Sequence, residues 1–580
     1  YLELREALLK KGHRFYTFSD TEVLLHLFEE KGPSCLELLN GQFAVAIWDS
    51  REKELFLARD RVGIRPLYYT VTKGRILFAS EIKSLFMDGD VPRRIDPEAM
   101  AQVFTLWSTL PGKTVFQGIH ELPPGHYLKA SCGHVSVDKY WDIPFVPPEE
   151  QIDWSAERIC EEVGALLNDA VRVRLRADVP VGCYISGGLD SSGVAALLRN
   201  NFVDRLKTFG IRFEENPFDE GQYQERMVSF LGTDHTEILA SKEQIGSLFS
   251  RTVWHCETPL LRTAPVPLYM LSHAVRQNGF KVVITGEGAD EVFGGYDIFK
   301  EALIRKFWSK YPKSQTRPLL LSRLYPYIFD NNPRLQRSLR SFFAKGIVNP
   351  SDPFFSHMIR WENTARIKAL FSEDLKGAIA GYSVYDDLRS RLPASFDRWD
   401  TLARAQYLEM VIFMSNYLLS SQGDRVAMAN AVEIRLPYLD YRLVELMGRV
   451  PAKRKIFGLK EKYLLKKIFR RIVPAPIVDR PKHPYRAPIG KSLLGGNALE
   501  TRNHLSKESM KEANLFDPGK VERLLGKLAV TGVESEVDGM ALAGILSSQF
   551  VFEQFVSRFP FKPVSPAYPA ISIDKRTVIS

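Results

Sequence analysis

The chain has 580 residues, of which 45% are hydrophobic, 25% charged and 11% aromatic. This composition is ordinary for a globular protein and excludes a disordered or fibrous one. At roughly 100–200 residues per domain, the length indicates at least two domains. The 78 Lys and Arg against 69 Asp and Glu leave a net charge of +9, which permits anionic substrates and does not by itself argue for nucleic acid.

The cysteines include no CxxC pair, so neither a disulfide framework nor a zinc knuckle is predicted, and a reducing, cytoplasmic setting is favoured. They are Cys35, Cys132, Cys160, Cys183 and Cys256. No apolar run approaches the ~20 residues that span a bilayer, so no membrane association is expected. Residues 1–11 are predicted to form a charged amphipathic helix rather than a signal peptide.

Residues 1–145 have an α+β pattern, with helices predicted at 2–11, 21–31 and 81–86. Short strands are predicted at 43–49, 54–59, 66–71 and 75–79. Residues 118–127 carry a Leu-Pro-Pro-Gly-His-Tyr turn. The Pro-rich stretch at 143–148 is the best candidate for a linker, and it separates a first domain, 1–145, from a second, 150–560.

The second domain begins with alternating strands and helices, which predicts a parallel, doubly wound α/β sheet. Strands are predicted at 179–186, 207–213, 235–239 and 281–285, and helices at 191–199, 223–231 and 267–278. Residues 297–550 are mostly helical in pattern, and the basic cluster at 453–467 is interpreted as a solvated helix face. Residues 561–580 are expected to form a Pro-rich extended tail.

The most informative stretch is residues 184–192, Tyr-Ile-Ser-Gly-Gly-Leu-Asp-Ser-Ser, in which a buried strand leads into two glycines and a helix. Glycines let the backbone approach an anion closely, and N–H groups at a helix start point towards it. The serines supply hydroxyl donors, and Asp190 can hold a magnesium ion that bridges phosphate oxygens. No lysine follows the glycines, so this is not a Walker A loop. A plain strand-to-helix turn is the alternative.

A second strand leads into residues 285–296, Thr-Gly-Glu-Gly-Ala-Asp-Glu-Val-Phe-Gly-Gly-Tyr. The ends of parallel strands meet at one crevice, so the two Gly-rich segments are expected to face one site. Carboxylates at 287, 290 and 291 would repel one another unless a cation lies near. A metal ion held by Asp290 together with Asp190 resolves this repulsion, and an acidic helix cap is the alternative.

The first loop resembles the pyrophosphate loop of the ATP-pyrophosphatases, and both loops together resemble those of glutamine-dependent asparagine synthetases of the B type. Further segments match this family in order and spacing over nearly the whole chain. They include Ser-Asp-Thr-Glu at 19–22, Asn-Gly-Gln-Phe-Ala at 40–44, residues 58–69, Phe-Asp-Glu at 218–220, Gly-Thr-Asp-His at 232–235 and residues 424–440.

The resemblance implies an α/β and α+β protein of two domains. The first would be an Ntn-type (class II) glutamine amidotransferase αββα sandwich. The second would be a doubly wound α/β ATP-pyrophosphatase (adenine nucleotide alpha hydrolase-like) synthetase domain with a helical C-terminal part. Glutamine would supply ammonia, and ATP with Mg²⁺ would convert aspartate to β-aspartyl-AMP, which ammonia converts to asparagine, AMP and pyrophosphate. A homodimer is compatible with this family.

The resemblance also assigns roles to individual residues. Glu287 matches the residue near the reacting carboxyl and the incoming ammonia, where a general base would lie. Lys482 matches a lysine that stabilises charge on the phosphates, and an exposed surface lysine is the alternative. Asp190 and Asp290 would hold magnesium. The residues expected to bind ATP are Tyr184, Ser186, Gly187, Gly188, Leu189, Asp190, Ser191, Ser192, Ile211, Thr285 and Gly286.

The N-terminal part departs from the family pattern. Family members begin with a catalytic cysteine whose free amine serves as base, whereas Tyr1 stands first here. The glutamine-binding Arg-Gly and Asn-Gly-Glu loops are also absent, and Asp20 remains to hold the glutamine amine. We therefore expect that the sequence lacks the start of its amidotransferase domain and that this chain does not hydrolyse glutamine.

The sequence does not determine which carboxylate is the acceptor. Residues 482–488 differ from those of the housekeeping enzymes, which keeps amidation or cyclisation of another carboxylate as an alternative, as in β-lactam synthetase and lasso-peptide cyclase relatives. Arg262 could bind a substrate carboxylate through its guanidinium group, and an exposed surface arginine is an equal alternative. A tRNA-modifying enzyme is a remote alternative, since its cysteine pair and zinc knuckles are missing. A non-catalytic scaffold is disfavoured because Asp190, Asp290 and Lys482 are present.

Overall fold

The first part of the chain folds around two antiparallel sheets. The computed structural model describes residues 1–214, 219–325, 339–481, 487–495, 498–531 and 535–560. One sheet has the strand order β1-β2-β6-β7 and the other the order β4-β3-β5. The strands are β1 Ala44–Asp49, β2 Glu54–Arg59, β3 Tyr68–Thr72, β4 Arg75–Ala79, β5 His120–Glu121, β6 His126–Ser131 and β7 His134–Lys139.

The predicted strands of this part are confirmed as β1 to β4, whereas the β6–β7 hairpin was not predicted. Its two-residue turn is Cys132-Gly133, and both residues have positive φ angles of 48° and 79°. Two-residue hairpins require such angles, and asparagine or glycine usually supplies them. A cysteine at the first turn position hid the hairpin from sequence reasoning.

The three predicted helices of this part are confirmed close to their bounds, as Leu2–Lys10, Asp20–Lys31 and Ile82–Leu85. The helix Pro97–Leu106 and a 3₁₀ turn at Gly32–Leu38 were not predicted. The Ser19 side chain accepts a hydrogen bond from the Thr21 N–H and so caps the helix Asp20–Lys31. The same helix ends at Gly32, whose φ of 55° is unfavourable for other residues.

A five-stranded parallel sheet forms the centre of the second part, as predicted. Its strands are β8 Val181–Tyr184, β9 Lys207–Phe213, β10 Asp234–Ala240, β11 Val282–Ile284 and β12 Glu433–Arg435. Their order is β10-β9-β8-β11-β12, and all four neighbouring pairs are parallel. The edge strand β12 comes from the region that was predicted to be mostly helical.

In the second part, an α-helix precedes β8, and further α-helices connect the strands from β8 to β11 along the chain. They are Ala156–Arg174, Leu189–Asn201, Gly221–Leu231, Lys242–Cys256 and Pro265–Gln277. The helix Ala156–Arg174 shows why they form: Ser155 caps its start, and Ile159, Val163 and Leu167 repeat every four residues along its buried face.

The remaining part is mostly helical, as predicted. Its α-helices are Ala289–Phe293, Asp297–Ser309, Leu320–Leu324, Met358–Ala365, Glu373–Ala378, Val384–Ser390, Thr401–Leu408, Arg425–Met428, Tyr441–Arg449, Ala452–Lys455, Tyr463–Phe469, Ala475–Val478, Gly490–Gly495, Ala498–His504, Lys507–Ala513, Pro518–Thr531 and Glu536–Val551. Glu409–Asp424 and Phe552–Ser557 are π-helical. Among the described residues, we find no helix with the length and apolar character needed to cross a bilayer.

The two parts share one core. Val62 and Ile64 of the first part belong to the same buried cluster as Ile185 and Leu439 of the second. The Pro-rich stretch at 143–148 joins this cluster through Ile143 and Phe145, so it is a packed connection rather than a free linker. The expected tail at 561–580 lies outside the described residues.

One prediction about the helical part is wrong. The basic stretch 453–467 is not a solvated face throughout, because Lys455 and Lys462 are only 3% and 2% exposed. Lys455 donates a hydrogen bond to the Gln406 Oε1 atom at 3.0 Å, and burial lowers its pKa to about 8. A charge count could not separate these lysines from the exposed Lys453 and Lys467, because only the packing decides which ones are buried.

Candidate active site

A cavity of about 550 Å³ opens where the strand order of the parallel sheet reverses. The strands β8 and β11 are neighbours there, and the chain leaves them in opposite directions along the sheet edge. Such a switch point is where doubly wound sheets bind their ligands. The segments that follow the two strands, 185–191 and 285–291, both contribute to the wall of the cavity.

Hydrogen bonds from backbone N–H groups to its own serine hydroxyls stabilise the conformation of the loop after β8. The Ser186 N–H donates to the Ser191 Oγ atom at 3.1 Å, and the Gly188 N–H donates to the Ser186 Oγ atom at 3.3 Å. Gly187 has a φ of 74°, and a Cβ there would lie 2.6 Å from Tyr223. The helix Leu189–Asn201 therefore begins with its N–H groups at the cavity, where a phosphate group is stabilised.

The loop after β11 packs directly against the first loop. A Cβ on Gly286 would lie 2.8 Å from the Ser191 backbone nitrogen, so only glycine permits this approach. The Thr285 hydroxyl donates a hydrogen bond to the Glu287 carboxylate, and both residues line the cavity. The structure thus brings together the two segments that the sequence placed at one site.

A lysine that the sequence analysis missed lies between the two predicted metal ligands. The Lys462 Nζ atom is 2.6 Å from the Asp190 Oδ2 atom and 2.5 Å from the Asp290 Oδ1 atom. Gly295 packs against this group so closely that a Cβ would overlap both Asp290 and Lys462. The ammonium group supplies the cation that the clustered carboxylates require.

Glu291, the third carboxylate of the second loop, has a different environment. Its side chain is fully buried and accepts a hydrogen bond from the Tyr296 hydroxyl at 2.7 Å. Burial, with a further contribution from Asp290, raises the pKa of Glu291 to about 8. The carboxyl group is therefore mostly protonated at neutral pH, which reduces the repulsion within the cluster.

Most residues expected to bind ATP line the cavity. They are Tyr184, Ser186, Gly188, Leu189, Asp190, Ser191, Ile211, Thr285 and Gly286. Gly187 lies in the loop beside them, and Ser192 is fully buried in the first turn of the helix. Burial raises the pKa of the Tyr184 phenol far above its ordinary value. Tyr184 is therefore neutral beside the phosphate loop.

Lys482 and the motif residue Phe218 lie outside the described residues. Arg480 and Pro481, the two residues before Lys482, line the cavity. Arg480 forms an ion pair with Glu220 at 2.5 Å, and its guanidinium lies 3.8 Å above the Tyr223 ring. The backbone that leads to Lys482 is therefore fixed at the cavity wall.

Arg262 also lines the cavity. Its side chain is 17% exposed and forms an ion pair with Glu536 at 2.5 Å. The guanidinium lies 4.2 Å above the Trp107 ring. Further aromatic rings line the same cavity, at Trp361, Phe413 and Tyr417. Arg262 is thus a cavity residue rather than a surface arginine.

The predicted glutamine ligand lies in the other part of the molecule. Asp20 begins the helix Asp20–Lys31, is exposed, and contacts the hydroxyls of Ser19 and Thr21 at 3.4 Å. The nearest cysteine in sequence, Cys35, is fully buried in the local core. Burial raises the pKa of the Cys35 thiol to about 11, which is opposite to what a nucleophile requires.

The comparisons with known proteins agree with this architecture. Residues 162–545 match the family model described as asparagine synthase. Residues 1–141 match the one described as glutamine amidotransferase domain. A sheet with two phosphate-facing loops, preceded by an amidotransferase domain, defines a class of ATP-dependent, amide-forming ligases.

Relatives match over most of their own length. "Amidase chyE" of Penicillium rubens is 30% identical over 96% of this chain and 84% of the relative. "Asparagine synthetase [glutamine-hydrolyzing] 1" of Bacillus subtilis is 30% identical over 88% and 78%. "Asparagine synthetase [glutamine-hydrolyzing] 3" of the same organism is 32% identical over 83% and 73%. The chain belongs to the asparagine synthase family, which confirms the family expected from the motifs.

Proposed function

We propose that the second domain converts aspartate to asparagine by ATP-dependent amidation. The ammonia for this reaction comes from glutamine, which the family's amidotransferase domain hydrolyses. The observation that carries this proposal is the Lys462 ammonium held between Asp190 and Asp290 at the end of a phosphate loop. Lys462 is fixed beside the helix N–H groups, and the magnesium ion that the two aspartates would hold offsets the excess negative charge of the group, so the site is suited to a leaving pyrophosphate. The ATP use of the family agrees with it.

In this reaction a carboxylate oxygen of the substrate attacks the α-phosphorus of ATP, and pyrophosphate leaves. The loop 186–192 would hold the pyrophosphate through its N–H groups and serine hydroxyls. Lys462 would neutralise the charge that develops on the leaving group, and Lys482 would add a second cation. These groups position the reactants and stabilise charge without forming a covalent bond.

The adenylated carboxyl then reacts with ammonia. The nitrogen attacks the acyl carbon, the bond to the AMP oxygen breaks, and one proton must leave the nitrogen. We assign this proton to the Glu287 carboxylate, which lines the cavity and is oriented by the Thr285 hydroxyl. Tyr184 and Ile211 would flank the nucleotide at the ends of β8 and β9.

The residues at the cavity fit a magnesium ion. The carboxylates of Asp190 and Asp290 lie close together, since both are within 2.6 Å of the Lys462 Nζ atom, and a magnesium ion would use the oxygens that Lys462 does not bind. Carboxylate oxygens are the hard donors that Mg²⁺ prefers. When bound, the ion would supply positive charge that offsets the charge of the phosphate groups. The two aspartates would hold the ion, and the Lys462 ammonium would offset the repulsion between their carboxylates.

We also propose that residues 1–145 and 150–560 are the two functional domains, the first of the Ntn-type αββα class. Asp20 would bind the α-amine of glutamine there. Cys35 does not serve as the nucleophile, because it is buried and its pKa is raised.

A second acceptor is favoured by one observation. The part of the cavity around Arg262 is lined by the aromatic side chains of Trp107, Trp361, Phe413 and Tyr417, which aspartate does not need. Arg262 is poised to exchange Glu536 for a substrate carboxylate. Two of the relatives bear the name amidase rather than asparagine synthetase. Amidation of a larger, apolar carboxylate is therefore the alternative to aspartate.

The test is pyrophosphate release with ATP, Mg²⁺ and ammonium chloride, with the product identified by mass. Aspartate and a series of larger carboxylates, aliphatic and aromatic, would be compared. We expect asparagine and AMP with aspartate. Release only with a larger carboxylate would replace aspartate by that acceptor, and no release with any of them would refute the ligase proposal.

A further inference from the structure

Two histidines and a glutamate meet on the surface of the first domain, in the part of the molecule that carries Asp20. His13 lies in the connection between the first two helices, and His26 and Glu29 lie on the helix Asp20–Lys31. One ligand atom from each lies within 4.8 Å of the others. We propose that these three residues form a binding site for a borderline divalent cation of the zinc class, separate from the ATP site.

The spacing of the ligand atoms agrees with a tetrahedral zinc site. The Nδ1 atoms of His13 and His26 are 3.2 Å apart, and the Glu29 Oε2 atom is 3.0 Å from the His26 Nδ1 atom. With metal–ligand distances of about 2.0–2.1 Å, tetrahedral geometry places neighbouring ligand atoms about 3.3–3.4 Å apart. Two of the three separations are therefore close to the tetrahedral value and the third lies within 4.8 Å, so the three side chains can converge on one ion, with water completing the coordination.

The remaining ring nitrogens face carboxylates, as in known metal sites. The His13 Nε2 atom is 2.9 Å from the Glu30 Oε1 atom, and the His26 Nε2 atom is 4.0 Å from the Glu22 Oε1 atom. A carboxylate only accepts, so the proton of neutral His13 lies on Nε2 and the Nδ1 lone pair points at His26. Metal-binding histidines donate their other N–H to a carboxylate in this manner.

The surroundings hold these side chains in place before any ion binds. The imidazoles of His13 and His26 are only 20% and 17% exposed. The ring of His26 packs edge-on against Phe15 at 4.7 Å. Glu30 also pairs with Lys11 at 2.5 Å, which fixes the carboxylate that orients His13. An ion would tie the connection before Ser19 to the helix that begins at Asp20.

The test is a titration of the full chain, stripped of metal by a chelator, with Zn²⁺ and with Co²⁺ in excess Mg²⁺. The Cys132→Ser background removes an exposed thiol that would also bind zinc. We expect one tight site with the visible absorption of tetrahedral Co²⁺, and a rise in the thermal midpoint with Zn²⁺. His13→Gln and His26→Gln should each lose this site. Glu30→Gln should weaken it about 10- to 100-fold.

The matched control is His273→Gln, an exposed histidine on a helix of the second domain, which should leave the titration unchanged. Pyrophosphate release and the circular dichroism spectrum should stay unchanged in the two histidine variants, which shows that they fold. Zinc uptake that survives both substitutions would overturn the proposal. So would the absence of a one-to-one site in the parent chain.

Discussion

Two groups of buried charges in this molecule are built differently. At the cavity, one ammonium group, Lys462, lies between two carboxylates, Asp190 and Asp290. At the contact between the two domains, Arg425 pairs with Glu257 at 2.7 Å, and both side chains are buried. The first group carries an excess negative charge, and the second is balanced.

The balance of charge distinguishes a buried group with a binding role from a buried group with a structural role. Glu257 also accepts hydrogen bonds from the backbone N–H groups of Ile82 and Lys83, at 2.9 and 2.8 Å, so its carboxylate is satisfied by the protein. The cavity group lies where solutes reach it, and its excess charge is matched when a cation enters with the nucleotide. An unbalanced buried group beside a cavity therefore indicates a binding site.

The largest effect is expected from removing the cation of the unbalanced group. Lys462→Met should reduce pyrophosphate release by about 10²- to 10³-fold, because a preorganised charge at the leaving group is lost. Lys460→Met, an exposed lysine two residues earlier, is the matched control and should retain activity. Steady-state kinetics with ATP and ammonium measure both. Activity near the parent level in Lys462→Met, with an intact circular dichroism spectrum, would contradict the assignment.

The comparison also shows how far the sequence predicts the site. The two Gly-rich segments follow buried strands, so the parallel sheet and the meeting of Asp190 with Asp290 could be predicted from local pattern alone. Lys462 could not, because it lies 172 residues beyond Asp290 by their numbers, within a basic run whose members look alike. The strand β12 was missed for a related reason, since its three residues, Glu433–Arg435, are too few to show periodicity.

Breaking the balanced Arg425–Glu257 pair should lower the free energy of unfolding and leave the reaction chemistry unchanged. Glu257→Gln leaves the buried Arg425 guanidinium with Glu81, at 3.8 Å, as its remaining carboxylate partner, and breaking a buried pair costs about 3–5 kcal/mol. We expect the free energy of unfolding, measured by urea denaturation, to fall by this amount while the KM for ATP stays unchanged below the transition. A loss of less than about 1 kcal/mol would show that the pair is not a structural element.

A pH experiment on Glu291 sharpens the picture of the cavity group. The folded pKa is raised from the ordinary 4.5 to about 8 by burial and by Asp290. The folded state therefore binds this proton more tightly than the unfolded state. The contribution to stability is fully present below about pH 4.5 and is lost as the pH rises to about 8.

Glu291→Gln removes this proton linkage while keeping the size and polarity of the side chain. The slope of the unfolding free energy against pH between pH 5 and 8 should become less negative than in the parent, by on the order of 1 kcal/mol per pH unit over most of that window. Urea denaturation at several pH values measures the slope. Glu301→Gln, at a buried glutamate elsewhere on the cavity wall, is the control. Parallel slopes in parent and Glu291→Gln would contradict the raised pKa.

The smallest effect is expected at Lys467, which belongs to the same basic run as Lys462. Its ammonium pairs with Glu157 at 2.8 Å, but the two side chains are 37% and 70% exposed. Water and salt screen such an exposed pair more strongly than the buried Lys462 group. Lys467→Met should therefore leave the urea midpoint and pyrophosphate release within experimental error of the parent. A defect as large as that of Lys462→Met would mean that charge anywhere in this run supports catalysis, and that the position between two aspartates is not what distinguishes Lys462.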